Sequence, residues 1–327
     1  MSEYSFTLAN DVPLAEEQLL NLHQKCFGHY EGVLPFDRPT LSWYLARPGL
    51  GLDHTLVITF QGEIVSSLFL TLTKMYFAKE IVPVGIIDTV MTHPHHRKQG
   101  LASQLLKEAE TIIKDRRCIF GYLYTIPDTP QFGLYQKLGY QPFRRVYHFQ
   151  ASAPLCPSFD LTPFPIYFEE DRLQKFLNQT FANYDGFIPL DSNQWKWRKK
   201  ERPPNLPAKL LATGKEEIEA TITQNPGKII IQGKEEEALF LSDWGGQSSQ
   251  SKMEALLLAL PPFPKGKIDI LCPQVNREDW QLLKQTGFFP TLPEQAMLCP
   301  LTPQGKTLMN QAEGNFWYPL IESMVGV

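Results

Sequence analysis

Between Ile81 and Lys114 the hydrophobic pattern of the chain changes its period. Val82, Val84, Ile86, Ile87 and Val90 lie in a β-rich run from Ile81 to Met91, whereas Leu101, Leu105, Ala109, Ile112 and Ile113 recur at near-helical spacing. The break falls on Thr92-His93-Pro94-His95-His96-Arg97-Lys98-Gln99-Gly100. A strand therefore runs through a basic, glycine-bearing turn into a helix. Such a turn collects backbone N–H groups that have no partner inside the helix, and the helix dipole adds positive character there. Together they make a cradle suited to a pyrophosphate. Gly100 admits close approach of the main chain, Ala102 adds no obstructing side chain, and Arg97 and Lys98 bring charge to the rim. The turn has neither the Gly-x-x-x-x-Gly-Lys-Ser/Thr of a P-loop nor the glycine triplet of a dinucleotide fold.

The flanking sequence predicts a mixed α/β layer. Ahead of the turn come a strand at Tyr4–Leu8, helices over 13–26 and 40–46, and a hairpin of 55–60 with 64–76 about Gln61-Gly62. After it come a strand over 118–124, a helix over 130–138 ended by Gly139, and a strand over 143–149. A weaker version follows. Helices are predicted over 173–181 and 192–199, strands over 208–211, 218–223, 228–231 and 238–241, a helix over 252–260, a strand over 268–271 and a helix over 277–286. Two runs with one element order suggest a duplication. At 327 residues the chain has length for two domains. The expected division is 1–150, a proline-rich linker over 151–165, and 166–327 with an aromatic tail, Phe316 to Ile321, that inserts as a strand, caps the domain interface or binds a partner.

Arg97, Gly100 and Ala102 after an apolar strand resemble the acetyl-CoA signature of the GNAT superfamily of N-acetyltransferases. Leu134-Tyr135-Gln136-Lys137-Leu138-Gly139-Tyr140-Gln141-Pro142 resembles that family's late Leu-Tyr-x-x-x-Gly-Phe-x-Pro segment, and one helix and one strand separate the two motifs in the right order. The resemblance covers roughly residues 1 to 150. It implies two GNAT-like domains, each a central mixed sheet flanked by helices, and an acetyltransferase with acetyl-CoA as co-substrate. Backbone groups of Val90, Met91 and Thr92 would pair with the pantetheine arm. Residues Arg97, Lys98, Gln99, Gly100, Leu101, Ala102 and Ser103 would wrap the pyrophosphate. Tyr135 stands where the family often has a tyrosine near the departing sulfur, as a general acid; the alternative is an aromatic packed on Leu105 and Leu138. Asp88 is the leading candidate for the base, or else a strand-end hydrogen-bonder.

The second half departs from that pattern. Its equivalent turn, read over Leu241 to Gln250, has no Arg or Lys, and Asp243 would repel a diphosphate. Laid over the first half, Leu283 takes the place of Tyr135. A degenerate GNAT-like domain is the expectation. Tyr184 to Ile188 and Trp195-Lys196-Trp197-Arg198 loosely resemble tandem-domain relatives such as the enhanced-intracellular-survival aminoglycoside acetyltransferases. The paired tryptophans read as core or interface rather than a ligand cage.

Composition narrows the partners. Net charge is −4, from 31 basic and 35 acidic residues, which gives no field for nucleic acid despite Arg116-Arg117 and the basic run from Lys196 to Arg202. No apolar run is long enough to span a membrane, and Met1 to Ser5 does not open as a signal peptide, so a cytoplasmic protein is expected. The five cysteines show no C-x-x-C spacing and read as reduced, buried groups, none near either motif in sequence. His93, His95 and His96 crowd one loop rather than a ligand-spaced face, so no metal is expected. Two functions remain. One is an N-acetyltransferase acting by direct attack in a ternary complex on a primary amine of a small molecule or peptide. The other is a catalytically weak acyl-CoA-binding sensor or scaffold. Homo-oligomerisation is left open.

Overall fold

The helix that follows Gly100 spans Leu101–Asp115 and buries Leu101, Leu105, Leu106, Ala109 and Ile113 as one stripe. At about 2 kcal/mol for each buried Leu or Ile, this stripe anchors the layer. In the computed structural model, which describes residues 4–28, 36–152, 166–260, 269–274, 277–312 and 315–317, the elements of the first half are β1 (Tyr4–Leu8), α1 (Ala15–Phe27), α2 (Arg38–Leu45), β2 (Thr55–Phe60), β3 (Glu63–Phe77), β4 (Glu80–Thr92), α3 (Leu101–Asp115), β5 (Phe120–Thr125), α4 (Pro130–Lys137) and β6 (Gln141–Ser152). The second half supplies α5 (Glu170–Phe181), α6 (Ser192–Trp195), β7 (Lys209–Gly214), β8 (Ile218–Ile231), β9 (Lys234–Gly246), α7 (Ser249–Ala259), β10 (Asp269–Gln274), α8 (Arg277–Gln285), β11 (Phe289–Pro300) and α9 (Pro303–Gln311). Gly85 in β4 lets α3 lie close: a Cβ there would stand 2.4 Å from Ile113 Cγ1.

The strands form one mixed sheet in the order β1-β2-β3-β4-β5-β11-β6-β10-β9-β8-β7. The pairings β4–β5 and β9–β10 are parallel and the others are antiparallel. Each parallel pair is joined by a helical crossover, α3 in one half and α7 in the other. This is the expected mixed α/β class, built as two halves of one design. Their closing strands are exchanged: β6 pairs with β10 and β11, and β11 lies between β5 and β6.

Several local expectations are corrected. The strands read over 218–223 and 228–231 are one strand, β8. Its Pro226-Gly227 looked like a break, but β7 reaches only Gln224, so these residues sit where β8 is an edge that tolerates proline. The turn read over 241–250 is strand as far as Gly246. The helix read over 192–199 gives way at Lys196 to a π-helical turn, Lys196–Lys200. Of the tail, Phe316 and Trp317 are buried beside Asp185, and residues 318–321 lie outside the described residues, as does 153–165 of the linker.

Candidate active site

β4 and β5 pair only from Val84↔Phe120 to Ile86↔Tyr122, and beyond that point they part. A bulge lies just beyond that point, on the β3 side of β4. Ser67 pairs with Met91 and Phe69 with Asp88, so Thr89 and Val90 together oppose Leu68. Thr89 has φ 50°, a left-handed conformation that a β-branched residue rarely takes. On the side facing β5, Ile87 to Thr92 have no strand partner among the described residues. That unpaired edge is where an extended ligand can add as a strand.

Beyond it, a short turn, Pro94–His96, leads to Arg97. Arg97 Nε donates to Thr92 O at 3.2 Å, and Lys98 has φ 62°. Gly100 stands at the α3 N-cap with φ 80°, no side chain caps the helix, and a Cβ at Gly100 would meet nothing within 4 Å. The glycine thus answers to conformation, and the space in front of the first-turn amides is open. Arg97, Lys98, Gln99 and Gly100 are all exposed around that opening, with Ala102 and Ser103 half-buried on the first turn. The histidines of the loop are tied locally: His95 N donates to His93 Nδ1, and Tyr4 Oη and His96 Nδ1 share a hydrogen bond at 3.0 Å. Burial, with Lys25 and the neighbouring histidines, lowers the His93 pKa. Among the described residues no group of three or more His, Cys, Asp or Glu is placed to hold a metal ion.

Tyr135 lies in the cluster beneath α3 with Ile87, Leu101, Leu105 and Leu123, and Val90 and Leu138 pack against it. Burial pushes its phenol up to about 12, so it stays protonated. Asp88 turns to the other face. Its Oδ1 accepts from Tyr44 Oη at 2.5 Å and Thr89 Oγ1 at 2.8 Å, and its Oδ2 accepts from Arg47 Nη2 at 2.8 Å. Tyr44 belongs with Phe69 and Met91 to the cluster beneath α1 and α2. The two candidate groups therefore flank the parted strands from opposite sides of the sheet.

Tyr44 and Arg47 were not anticipated, nor was Cys26. Cys26 Sγ donates to Thr92 O at 3.4 Å, which brings a thiol to the strand end although none was near in sequence. Burial pushes that thiol up despite the nearby Arg97 charge, which keeps it a poor nucleophile. Cys26, Cys118 and Cys299 are free and buried, and Cys156 lies outside the described residues.

The second half repeats the bulge without the cradle. Thr221 pairs with Gly245 and Thr223 with Ser242, and Asp243 takes φ 51° in the place of Thr89. Asp243 accepts from Arg198, Lys199 and Thr223 in a buried network. Only Gln247 and Ser248 join β9 to α7, against residues 93–100 in the first half. The α7 N-terminus is also closed by a capping box: Ser251 N donates to Ser248 Oγ and Ser248 N to Ser251 Oγ, each at 3.1 Å.

A sheet parted beside an uncapped helix N-terminus defines a fold of the GNAT type. The family described as "Acetyltransferase (GNAT) domain" matches residues 15–143, and this part of the chain is similar to that family. The whole chain is similar in fold to a GCN5-related N-acetyltransferase from Anabaena variabilis (TM-score 0.63, 16% identity, 90% of this chain and 72% of that one). It is also similar to the N-myristoyltransferase of Saccharomyces cerevisiae with bound myristoyl-CoA (TM-score 0.70, 10% identity, 97% and 90%). A third similar structure is a conserved protein from Enterococcus faecalis described as a probable N-acyltransferase (TM-score 0.61, 11% identity, 92% and 74%). No curated protein sequence matches the chain. No described helix is long and apolar enough to cross a membrane.

Proposed function

We propose that the chain is an N-acetyltransferase that moves the acetyl group of acetyl-CoA to a primary amine by direct attack in a ternary complex. The observation that carries this reading is the gap between β4 and β5, with an open helix N-terminus on the α3 face and a held carboxylate on the α2 face. The diphosphate would rest on the amides of Leu101, Ala102 and Ser103, with Arg97, Lys98 and Gln99 at the rim. The pantetheine arm would add along Val90, Met91 and Thr92. The bulge leaves backbone N–H groups at Thr89–Val90 outside the ladder, suited to polarise the thioester carbonyl. As the tetrahedral intermediate collapses, the Tyr135 phenol would protonate the departing thiolate from the donor side.

The amine would arrive from the α2 face. A cleft of about 390 Å³ lies at the start of α2, away from Asp88, between Asp37, Asn205, Leu206 and the β8–β9 residues Lys228, Glu235 and Glu237. Lys228 and Glu235 are paired with each other there, which leaves Asp37 and Glu237 as the carboxylates that would attract a cationic acceptor. Asp88 also stands on the α2 face, and its proton route would pass through the groups that hold it. That occupied carboxylate favours the second reading, an acyl-CoA sensor with little turnover, since both its oxygens already accept hydrogen bonds. A cytoplasmic location fits either reading.

Calorimetry with acetyl-CoA, alongside thiol release over a panel of amines, separates the possibilities. Arg97→Ala combined with Gly100→Val removes a charged contact and places a branched side chain at φ 80°, so affinity should fall at least about tenfold; unchanged affinity removes the cradle. Tyr135→Phe should bind normally and turn over about a hundredfold more slowly. Binding without turnover across the panel favours the sensor.

A further inference from the structure

Arg47 is a buried cation whose Nη2 is paired with the Asp88 carboxylate, and its Nε finds no hydrogen bond among the described residues. Aromatic faces hold it instead. Its guanidinium lies 4.5 Å from the Tyr44 ring centroid and 5.9 Å from that of Trp197, which comes from the second half. Trp197 is itself fixed. It stacks on Trp43 at 4.8 Å with 8° between the planes, Trp197 Nε1 donates to Trp43 O at 2.8 Å, and Trp43 Nε1 donates to Trp197 O at 3.1 Å. Trp43 and Arg47 are four residues apart at the end of α2, so one ring from the other half covers both. The π-helical turn that carries Trp197 also points Arg198 and Lys199 inward onto Asp243, which pins the turn to β9.

Resting on the acyl-transfer reading above, we infer that Trp197 is a positioning residue for the first half's active site: it fixes Arg47, Arg47 and Tyr44 fix Asp88, and Asp88 with Thr89 fixes the bulge where the thioester carbonyl would be polarised. The second half, which has no cradle of its own, would then serve the reaction as a strut. Thr89 supplies the reason a strut is needed. A β-branched residue at φ 50° persists only where its surroundings over-determine it, and the Thr89 hydroxyl donates to the carboxylate that Arg47 holds.

The test uses the full-length chain with Trp197→Leu, which keeps an apolar side chain but loses the ring face, the N–H and part of the volume, and Trp197→Phe, which restores a ring. Arg47→Lys keeps the charge but not the planar contact, and is the second route should the leucine variant not fold. With an amine that the wild-type chain acetylates, Trp197→Leu and Arg47→Lys should lower kcat by about 10- to 100-fold while acetyl-CoA affinity and its KM stay within about twofold. Trp197→Phe should recover most of the loss. A folded Trp197→Leu variant with unchanged kcat, or a loss confined to KM, overturns the proposal. Amide hydrogen exchange reads the positioning without substrate: exchange over residues 88–92 should quicken about tenfold in Trp197→Leu, with β2 unchanged. Equal exchange also overturns it. Absence of turnover by the wild-type chain would instead remove the acyl-transfer reading, and the exchange rates would still decide whether Trp197 holds the strand.

Discussion

Burial lowers the His23 imidazole to a pKa of about 4. The ring is stacked on Phe36 at 4.4 Å and tilted against Phe27 at 5.0 Å, and Nε2 has no hydrogen-bond partner among the described residues. A depressed pKa means that the folded chain takes up this proton less readily than the unfolded one. The stability tied to neutral His23 is complete above pH 6.5 and declines as pH falls towards 4, by about 3 kcal/mol at most. Urea unfolding at pH 7 and pH 4 should show this loss in the wild-type chain and little of it in His23→Phe. An equal loss in both would place its origin elsewhere. Residues differ in how openly the sequence announces them. The turn at Gly100 and the helix that carries Tyr135 were readable because the motifs that mark them are local. Asp88 was readable only as a carboxylate on a strand, since Tyr44 and Arg47 reach it from a helix whose packing no spacing rule gives. Cys26 met Thr92 for the same reason: helix α1 folds back over the strand end.

At the scale of elements, the two crossover helices begin in opposite ways. Helix α3 starts at an uncapped glycine, whereas α7 closes its own first-turn amides with Ser248 and Ser251. An N-terminus already supplied with hydroxyl partners has less to offer an anion. Ser248→Ala should therefore cost about 1 kcal/mol of stability and leave acetyl-CoA affinity unchanged by calorimetry. Weaker coenzyme binding in that variant would mean that the second helix takes part. The loss of charge in this turn was visible in the sequence, but its shortening was not. Reading Leu241 to Gln250 as the turn hid that Asp243 occupies a bulge inside β9, where a left-handed residue interrupts the alternation without ending the strand. The repeat was nonetheless written locally. Asp37 and Asp191 each cap a helix, by accepting from Thr40 N and Gln194 N, and each precedes a clasping tryptophan, Trp43 or Trp197, at the same spacing.

For the whole molecule, the exchange of closing strands decides what can fold alone. The hydrophobic run of β6 marks it as a strand, but side-chain alternation says nothing about which neighbour it will find, and β11, which carries Pro290, Pro293 and Pro300, was not read as a strand at all. In the sheet, β5 is bonded along Phe120–Thr125 to Gln295–Pro300 of β11, and β6 is bonded to β10 and β11. A fragment ending at Ser152 would keep β1 to β5 and α1 to α4. It would expose the β5 edge and uncover the apolar surface that Ala296, Met297 and Leu298 bury, and it would leave β6 without either partner. It would also lose Trp197 and Leu206 from the cluster that surrounds Tyr44 and Met91. We expect the intact chain to melt in one cooperative calorimetric transition, and the fragment 1–152 to sediment as aggregate unless residues 153–327 are co-expressed with it. A soluble, monomeric fragment that binds acetyl-CoA would show the first half to be self-sufficient, because β6 would then have to return to the β5 edge that β11 holds in the full chain.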